Sequence, residues 1–473
     1  MAAFILVTLL AVGTLIAVAM TVGFEGALPY FAFLVIIMPG EARVYFSDLF
    51  VLTTTRAVVV TLLALYFILG RKEPDRDRNT SVPLKYLLIL YVGWCLVSTG
   101  NSVVLTTSLK AVIDNTLELY LLYFVLAKSI SSVRSIQKIL AGSIAALVVC
   151  CVFGVLERYA HWKAISIFPH VVHRLGEGGP GFIGAGDRVS STFPHPILFA
   201  NALTLGIPWV IYLLSFAKTT TQKIYLWVAL SLMAWNIYKT SSRGPWLALA
   251  MSLVALFIFS QGSTRKYLVV VAVLIAATLI LRPGVTESLR NIYVDTENPD
   301  SPRGASYQYR YELMGAGKRA LAASLSRSLW GFGPESFYYL GLESEVAFTG
   351  KTEVLESCDS AWVAITVELG YVGLLLVASL LGSAAFLSFK GYMALPRPGK
   401  DLCMLLLINL GAYSFMMVSV ANFGWGQQSF MLWMVMAMSV VAPRLAAAEV
   451  VPKQEAVSGL ALSRGKLIEV APG

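Results

Sequence analysis

Residues 360–387 read SAWVAITVELGYVGLLLVASLLGSAAFL. These 28 positions hold a single charge, Glu368, and outrun the ~20 residues that an α-helix needs to cross a bilayer. In hydrocarbon every backbone N–H and C=O must be satisfied within the segment, so a run of this kind reads as a membrane-spanning helix. Its two ends differ. Asp359 precedes it, whereas Lys390, Arg397 and Lys400 follow within a short stretch.

Working outward, similar apolar runs occupy roughly 3–22, 27–39, 50–69, 83–98, 112–127, 139–156, 194–214, 224–238, 245–260, 267–281, 402–420 and 429–442. The chain of 473 residues is 57% hydrophobic and 13% charged, against roughly 25% charged in soluble proteins. A water-soluble enzyme is excluded. The expectation is an all-α integral membrane protein of about 12–13 transmembrane helices, with one large extracytoplasmic loop containing amphipathic helices. Residues 27–39 form the short run, read either as a full crossing or as a tilted, half-buried segment. The first run has no basic residue before it and another apolar run soon after, so it reads as an uncleaved helix rather than a signal peptide.

Of 36 Lys and Arg, 19 fall on alternate loops and the C-terminal tail, among them Arg71, Lys72, Lys128, Arg134, Lys218, Arg265, Lys390 and Arg444. By the positive-inside rule those loops are cytoplasmic, and so is the C-terminus. The N-terminus lies outside if 27–39 crosses and inside if it does not. The organisation is then 1–156, N-terminal helices; 157–282, helices carrying outer-face Arg and His motifs; 283–359, a large outer loop; 360–442, C-terminal helices; 443–473, a cytoplasmic tail. The loop 283–359 holds 7 Lys/Arg against 11 Asp/Glu, although the whole chain has a net charge of +9. This partition is topological, and with no zinc finger or basic helix it argues against nucleic acid as a partner. The five cysteines show no Cys/His ligand spacing, so neither a metal nor a disulfide is expected.

Charges at helix ends in lipid are costly, and four groups stand out at the outer face. Lys239-Thr-Ser-Ser242-Arg243-Gly-Pro245-Trp breaks the positive-inside trend, and a helix N-terminus with Ser hydroxyls and Arg243 suits a phosphate. The equal alternative is an arginine snorkelling to lipid head groups. Arg188-Val-Ser-Ser-Thr-Phe-Pro-His195-Pro fixes an imidazole between two prolines, as a general base or, more commonly for a lone His, as a structural hydrogen bonder. Tyr307-Gln-Tyr-Arg310-Tyr-Glu opens an amphipathic helix to about Leu329, with apolar positions Leu313, Gly317, Leu321 and Leu325. It leads into Trp330-Gly-Phe-Gly333-Pro-Glu335-Ser-Phe337. Finally, Asp359 stands at the mouth of the 360–387 helix and Glu368 about two and a half turns inside it, as a functional carboxylate or a partner for an arginine.

In order and spacing these motifs resemble the O-antigen ligase/polymerase superfamily of bacterial envelope glycosyltransferases, over about residues 190–385. The matching elements are R-x-x-S-T-F-x-H-P from Arg188, Ser242-Arg243-Gly244-x-Trp246, Arg310 with Gly331-x-Gly333, and Asp359-Ser360 followed by Glu368-Leu369-Gly370-x-x-Gly373. The resemblance implies metal-independent, cofactor-free transfer of an oligosaccharide from undecaprenyl diphosphate, at the periplasmic face of the inner membrane. Membrane lipid and a chain-length regulator protein are the implied partners. Arg243 and Arg310 would clamp the diphosphate and Asp359 would act on the acceptor hydroxyl, giving inversion. Arg188, His195, Lys239, Ser242, Glu335 and Glu368 would line the substrate. Ligases have a His nine residues before the Glu; this chain has Asp359, which favours polymerisation of repeat units. The alternatives are an O-antigen ligase acting on lipid A core or another acceptor and, in another class, a transporter or flippase of the same lipid-linked sugars.

Overall fold

The computed structural model describes residues 2–40, 43–45, 51–70, 81–168, 188–281, 302–346, 351–355, 357–424 and 426–449, with isolated positions between 287 and 298. The basic cluster at 71–78 and the tail after 449 lie outside the described residues. The helices are α1 (Ala2–Ile37), α2 (Thr54–Leu65), α3 (Lys85–Thr99), α4 (Leu105–Asn115), α5 (Leu121–Ser129), α6 (Val133–Tyr159), α7 (Pro196–Leu214), α8 (Thr220–Lys239), α9 (Arg243–Phe259), α10 (Ser263–Leu281), α11 (Pro302–Ala322), α12 (Leu325–Trp330), α13 (Ala361–Ala394), α14 (Gly399–Met416) and α15 (Gln427–Ala448). Two antiparallel hairpins accompany them: β1 (Arg43–Tyr45) with β2 (Val51–Thr53), and β3 (Glu343–Val346) with β4 (Lys351–Val354). Five helices, α1, α6, α7, α13 and α15, are long and apolar enough to cross a membrane; α3 and α9 are shorter apolar helices. The all-α membrane reading holds.

The helices alternate between two ends. Ser215 bonds Thr264 at 2.7 Å, Glu449 accepts the Val133 N–H at 3.2 Å, Gly262 lies against the Arg397 side chain and Gly399 against Ala446; these contacts gather the connections that bear basic residues at one end. The conspicuous motifs collect at the other. In α1 the question of 27–39 resolves at Gly23, whose φ of 79° breaks the helix into two arms. Glu25, at the bend, accepts from Ser131 at the basic end, with N–H to Oε1 at 2.9 Å. Phe4 packs with Val44 and Phe168, and Cys150 Sγ lies 3.9 Å from the Ile36 carbonyl, both at the motif end. The second arm is therefore a return pass.

At the centre stand α7 and α15, buried on almost every side. Helices of this kind have no polar face because their neighbours are apolar in all directions. Pro196 occupies the first turn of α7, where no N–H is required, with His195 as the cap. The last helix runs past the expected boundary at 442, to Ala448. The apolar run 112–127 divides into α4, a π-helical stretch at Thr116–Tyr120, and α5.

The outer loop departs from expectation in two ways. The amphipathic helix begins at Pro302, so Arg310 sits about two turns in rather than near the start, and it stops at Ala322, with Ser324 capping the separate α12. Leu325, expected on the apolar stripe, belongs to α12 and is 75% exposed. The expected positions Leu313, Gly317 and Leu321 do bury, with Ala316 beside them; Leu313 and Ala316 share a small core with Phe337, Leu355, Cys358 and Val367 of α13. The β3–β4 hairpin had no alternating apolar pattern to announce it.

Candidate functional site

The long helix α13 is broken at Gly370, whose φ is 68°. The break frees three carbonyls that would otherwise accept from the next turn, and each finds a partner elsewhere. Val367 O receives Phe332 N–H at 3.0 Å, Glu368 O receives Gly333 N–H at 2.8 Å and Ser98 Oγ at 2.9 Å, and Leu369 O receives Trp94 Nε1 at 2.9 Å. The approach is backbone against backbone. A Cβ on Gly370 would collide with the Leu329 carbonyl, and one on Gly331 (φ 74°) with that of Glu368. This explains the glycines of the Trp330–Gly333 motif.

A cradle between α3 and α4 holds the loop from its other side. Asn101 Nδ2 donates to Gly331 O at 2.7 Å, Ser108 Oγ to Pro334 O at 2.6 Å, and Arg327 to Asn101 O. Within it Glu335 adopts φ 58°, and the N–H groups of Glu335 and Phe337 address the Glu368 carboxylate, Phe337 at 3.5 Å. Glu335 and Glu368 thus form one carboxylate pair. Glu368 lies nine residues beyond Asp359, about 13 Å along the helix at 1.5 Å per residue.

The second cluster surrounds Asp359. Arg310 Nη2 is 3.5 Å from Asp359 Oδ2. The preceding residue, Tyr309, donates its hydroxyl to Ser357 O at 2.7 Å, and Ser357 Oγ donates to Asp359 Oδ1 at 3.2 Å. Burial, with Asp359 and Cys358 nearby, raises the Tyr309 phenol above its ordinary range, so it remains a neutral donor. Ser360 caps α13, and the Ala361 N–H reaches Met417 O at 2.8 Å.

The third cluster is the turn at 188–195 docked on the α8–α9 connection. Arg188 donates from Nε to Thr240 O at 2.9 Å and from Nη2 to Ser242 Oγ at 3.2 Å, and Val189 N–H reaches Lys239 O at 3.2 Å. The Lys239 ammonium lies 5.3 Å from the Tyr238 ring centroid. Arg243 is the first residue of α9, not a member of a longer loop. His195 caps α7 through Nδ1, which accepts the Ile197 N–H at 3.1 Å. Burial, then the charges of Arg188 and Arg310, lowers its pKa to about 4. At neutral pH the ring is uncharged, and the nitrogen that could accept a proton is already engaged. The general-base role considered for His195 is unfavourable on both counts.

Two parts of this arrangement carry no loud sequence signal. Glu157, at the end of α6, is buried and accepts from Ser190 N at 3.0 Å, Ser191 N at 2.7 Å and Ser190 Oγ at 3.3 Å; Lys163 Nζ lies 3.5 Å away. It organises the whole 188–195 turn. The α14–α15 connection (417–424 and 426), with Gln427 at the start of α15, is the common seat of three motifs. It touches Ser360 and Ala361 through Met417, Gly244 through Ser419, and Thr192 through Gln427, whose Nε2 donates to Thr192 O at 2.8 Å. The N-termini of α7, α9, α13 and α15 therefore converge around it, and their partial positive charge adds to that of the arginines.

What this end of the molecule can do is hold an anion beside a carboxylate. Arg188 and Arg310 are each brought within electrostatic reach of His195, and Arg310 is brought to Asp359. Glu335 and Glu368 are brought together instead on the glycine loop.

No curated protein matches the chain. Residues 228–378 match the family model described as O-antigen ligase, a span that includes Arg243, Arg310, Glu335, Asp359 and Glu368 and leaves Arg188 and His195 outside it. This match, over about a third of the chain, together with the bundle of apolar helices, supports a likeness to the O-antigen ligase/polymerase superfamily of multi-pass membrane proteins.

Proposed function

We propose that the protein is a membrane glycosyltransferase that polymerises undecaprenyl-diphosphate-linked oligosaccharide repeat units at the periplasmic face of a bacterial inner membrane. The observation that carries this reading is the Arg310–Asp359 pair at the mouth of α13. It sets a fixed cation for a diphosphate leaving group next to a carboxylate for an acceptor hydroxyl. The acceptor oxygen attacks the anomeric carbon as its proton passes to Asp359. The bond from that carbon to the diphosphate oxygen breaks, and Arg310, with Arg243 and Arg188, takes up the charge that develops there. A single displacement inverts the carbon. Undecaprenyl diphosphate departs and Asp359 returns its proton to solvent.

An aspartate in place of the His expected of ligases favours another repeat unit as the acceptor. The test is reconstitution of the purified protein with lipid-linked repeat units: a ladder of longer lipid-linked chains supports the reading, and unchanged single units refute it. In a deletion strain, single repeats still attached to the final acceptor mark a polymerase. Accumulated long lipid-linked polymer marks a ligase instead. A chain-length regulator belongs to the same proposal and would appear as a change in ladder distribution on co-reconstitution.

A further inference from the structure

The two ring nitrogens of His195 face different tasks. Nδ1 accepts the Ile197 N–H at 3.1 Å and closes the first turn of α7. A nitrogen that accepts carries no proton, so this hydrogen bond assigns the ring hydrogen to Nε2. Among the described residues the ring's hydrogen bond is the one at Nδ1, and the ring is half-buried, which leaves Nε2 accessible rather than sealed. Pro194 and Pro196 on either side restrict the backbone and hold the ring's aim. An accessible donor is therefore held near Arg188 and Arg310.

We propose that His195 Nε2–H donates a hydrogen bond, as a neutral group, to a non-bridging oxygen of the lipid-linked diphosphate. This rests on the diphosphate-lipid reading above and adds to it a fourth contact, of a different kind from the arginines. Another cation there would meet repulsion from Arg188 and Arg310; a neutral N–H adds directionality without that cost. Burial and the two arginines keep the ring neutral at physiological pH. A group that can only donate requires an acceptor, and an anionic phosphate oxygen is the strongest acceptor available. The hydroxyl of the sugar acceptor belongs to Asp359 across the site.

The geometry separates this from a purely structural cap. His195→Asn places Oδ1 where Nδ1 stood, so the cap survives while the outward donor is lost; Asn is among the best N-caps. His195→Gln does the reverse, restoring an N–H near the Nε2 position with a poorer cap. The experiment uses the full chain in nanodiscs, with undecaprenyl diphosphate as probe, undecaprenol as uncharged reference, and melting temperature recorded in parallel. Expected are preference of the wild type for the diphosphate, about tenfold weaker diphosphate binding in His195→Asn with an unchanged melting temperature, and near-normal binding in His195→Gln with a lower one. Binding by His195→Asn equal to wild type overturns the inference alone. A wild type that does not prefer the diphosphate lipid to undecaprenol overturns the diphosphate reading, and the inference with it.

Discussion

Arg310 and Asp359 come from different elements, α11 in the outer loop and the residue before the cap of α13, and stand 3.5 Å apart with side chains 24% and 37% exposed. A pair this accessible contributes little to folding, since exposed ion pairs give at most ~1 kcal/mol. Its removal should act on turnover. Arg310→Ala is expected to lower transfer by about 10²–10³-fold while leaving the melting temperature within a degree or two. Arg310→Lys should recover only part of this, because a point charge does not reproduce a planar fork. Asp359→Asn should lower turnover more than donor binding. Unchanged turnover in a correctly inserted variant removes either residue from the mechanism.

Glu157 makes a contrasting prediction. Its buried carboxylate gathers two consecutive backbone N–H groups and a hydroxyl. Glu157→Ala leaves those donors unpaired and should cost on the order of 2–3 kcal/mol. It should also weaken diphosphate binding by releasing Arg188 and His195 from their seat. Glu157→Gln keeps one acceptor oxygen and should fall between. Thermal scans with binding on the same samples check this, and a variant that loses binding without losing stability would mean that Glu157 touches the ligand itself.

The break in α13 is tested by a pair of glycines. Gly370→Ala should reduce folded yield sharply, because φ is 68° and the added methyl meets the Leu329 backbone. Gly382→Ala, in the same helix, meets nothing within 4 Å and should be neutral or slightly stabilising. Monodispersity in detergent is the measurement; equal behaviour of the two would mean that the break carries no structural demand.

The depressed pKa of His195 links stability to acidity. The unfolded ring titrates near 6.5 and the folded one at about 4, so between these values the unfolded state binds more protons. The contribution is complete above about pH 6.5 and is lost as pH falls toward 4. Because carboxylates titrate in the same range, the informative quantity is a difference. Wild type should lose more melting temperature than His195→Asn between pH 7 and pH 4.5, and parallel curves would show that the ring is not shielded by burial, Arg188 and Arg310.

The expensive residues were readable from the sequence. Arg188, Arg243, Arg310 and Asp359 stand out because a charge in an apolar chain needs a reason, and the structure places all four at one end. The uncharged or structurally employed polar residues were not. Ser98, Asn101 and Ser108 cradle the glycine loop, yet Ser and Asn occur widely in membrane helices at modest cost. Glu157 follows an apolar run beside Arg158 and looks like an ordinary interfacial carboxylate. The return of α1 at Gly23 could not be decided from length alone, because a short run is consistent with both a tilt and a crossing. The β3–β4 hairpin is too short and too charged to show a period of two.

Every charged residue assigned to the site lies before position 369, yet the seat on which three of its motifs rest is built from residues 417–427. During synthesis the arginines and carboxylates are therefore made before the segment on which three of their motifs rest. A product ending after α13 would carry the full set of arginines and carboxylates and still lack the support of Met417, Ser419 and Gln427. On the proposed function, transfer would then begin only once the last two helices are in place.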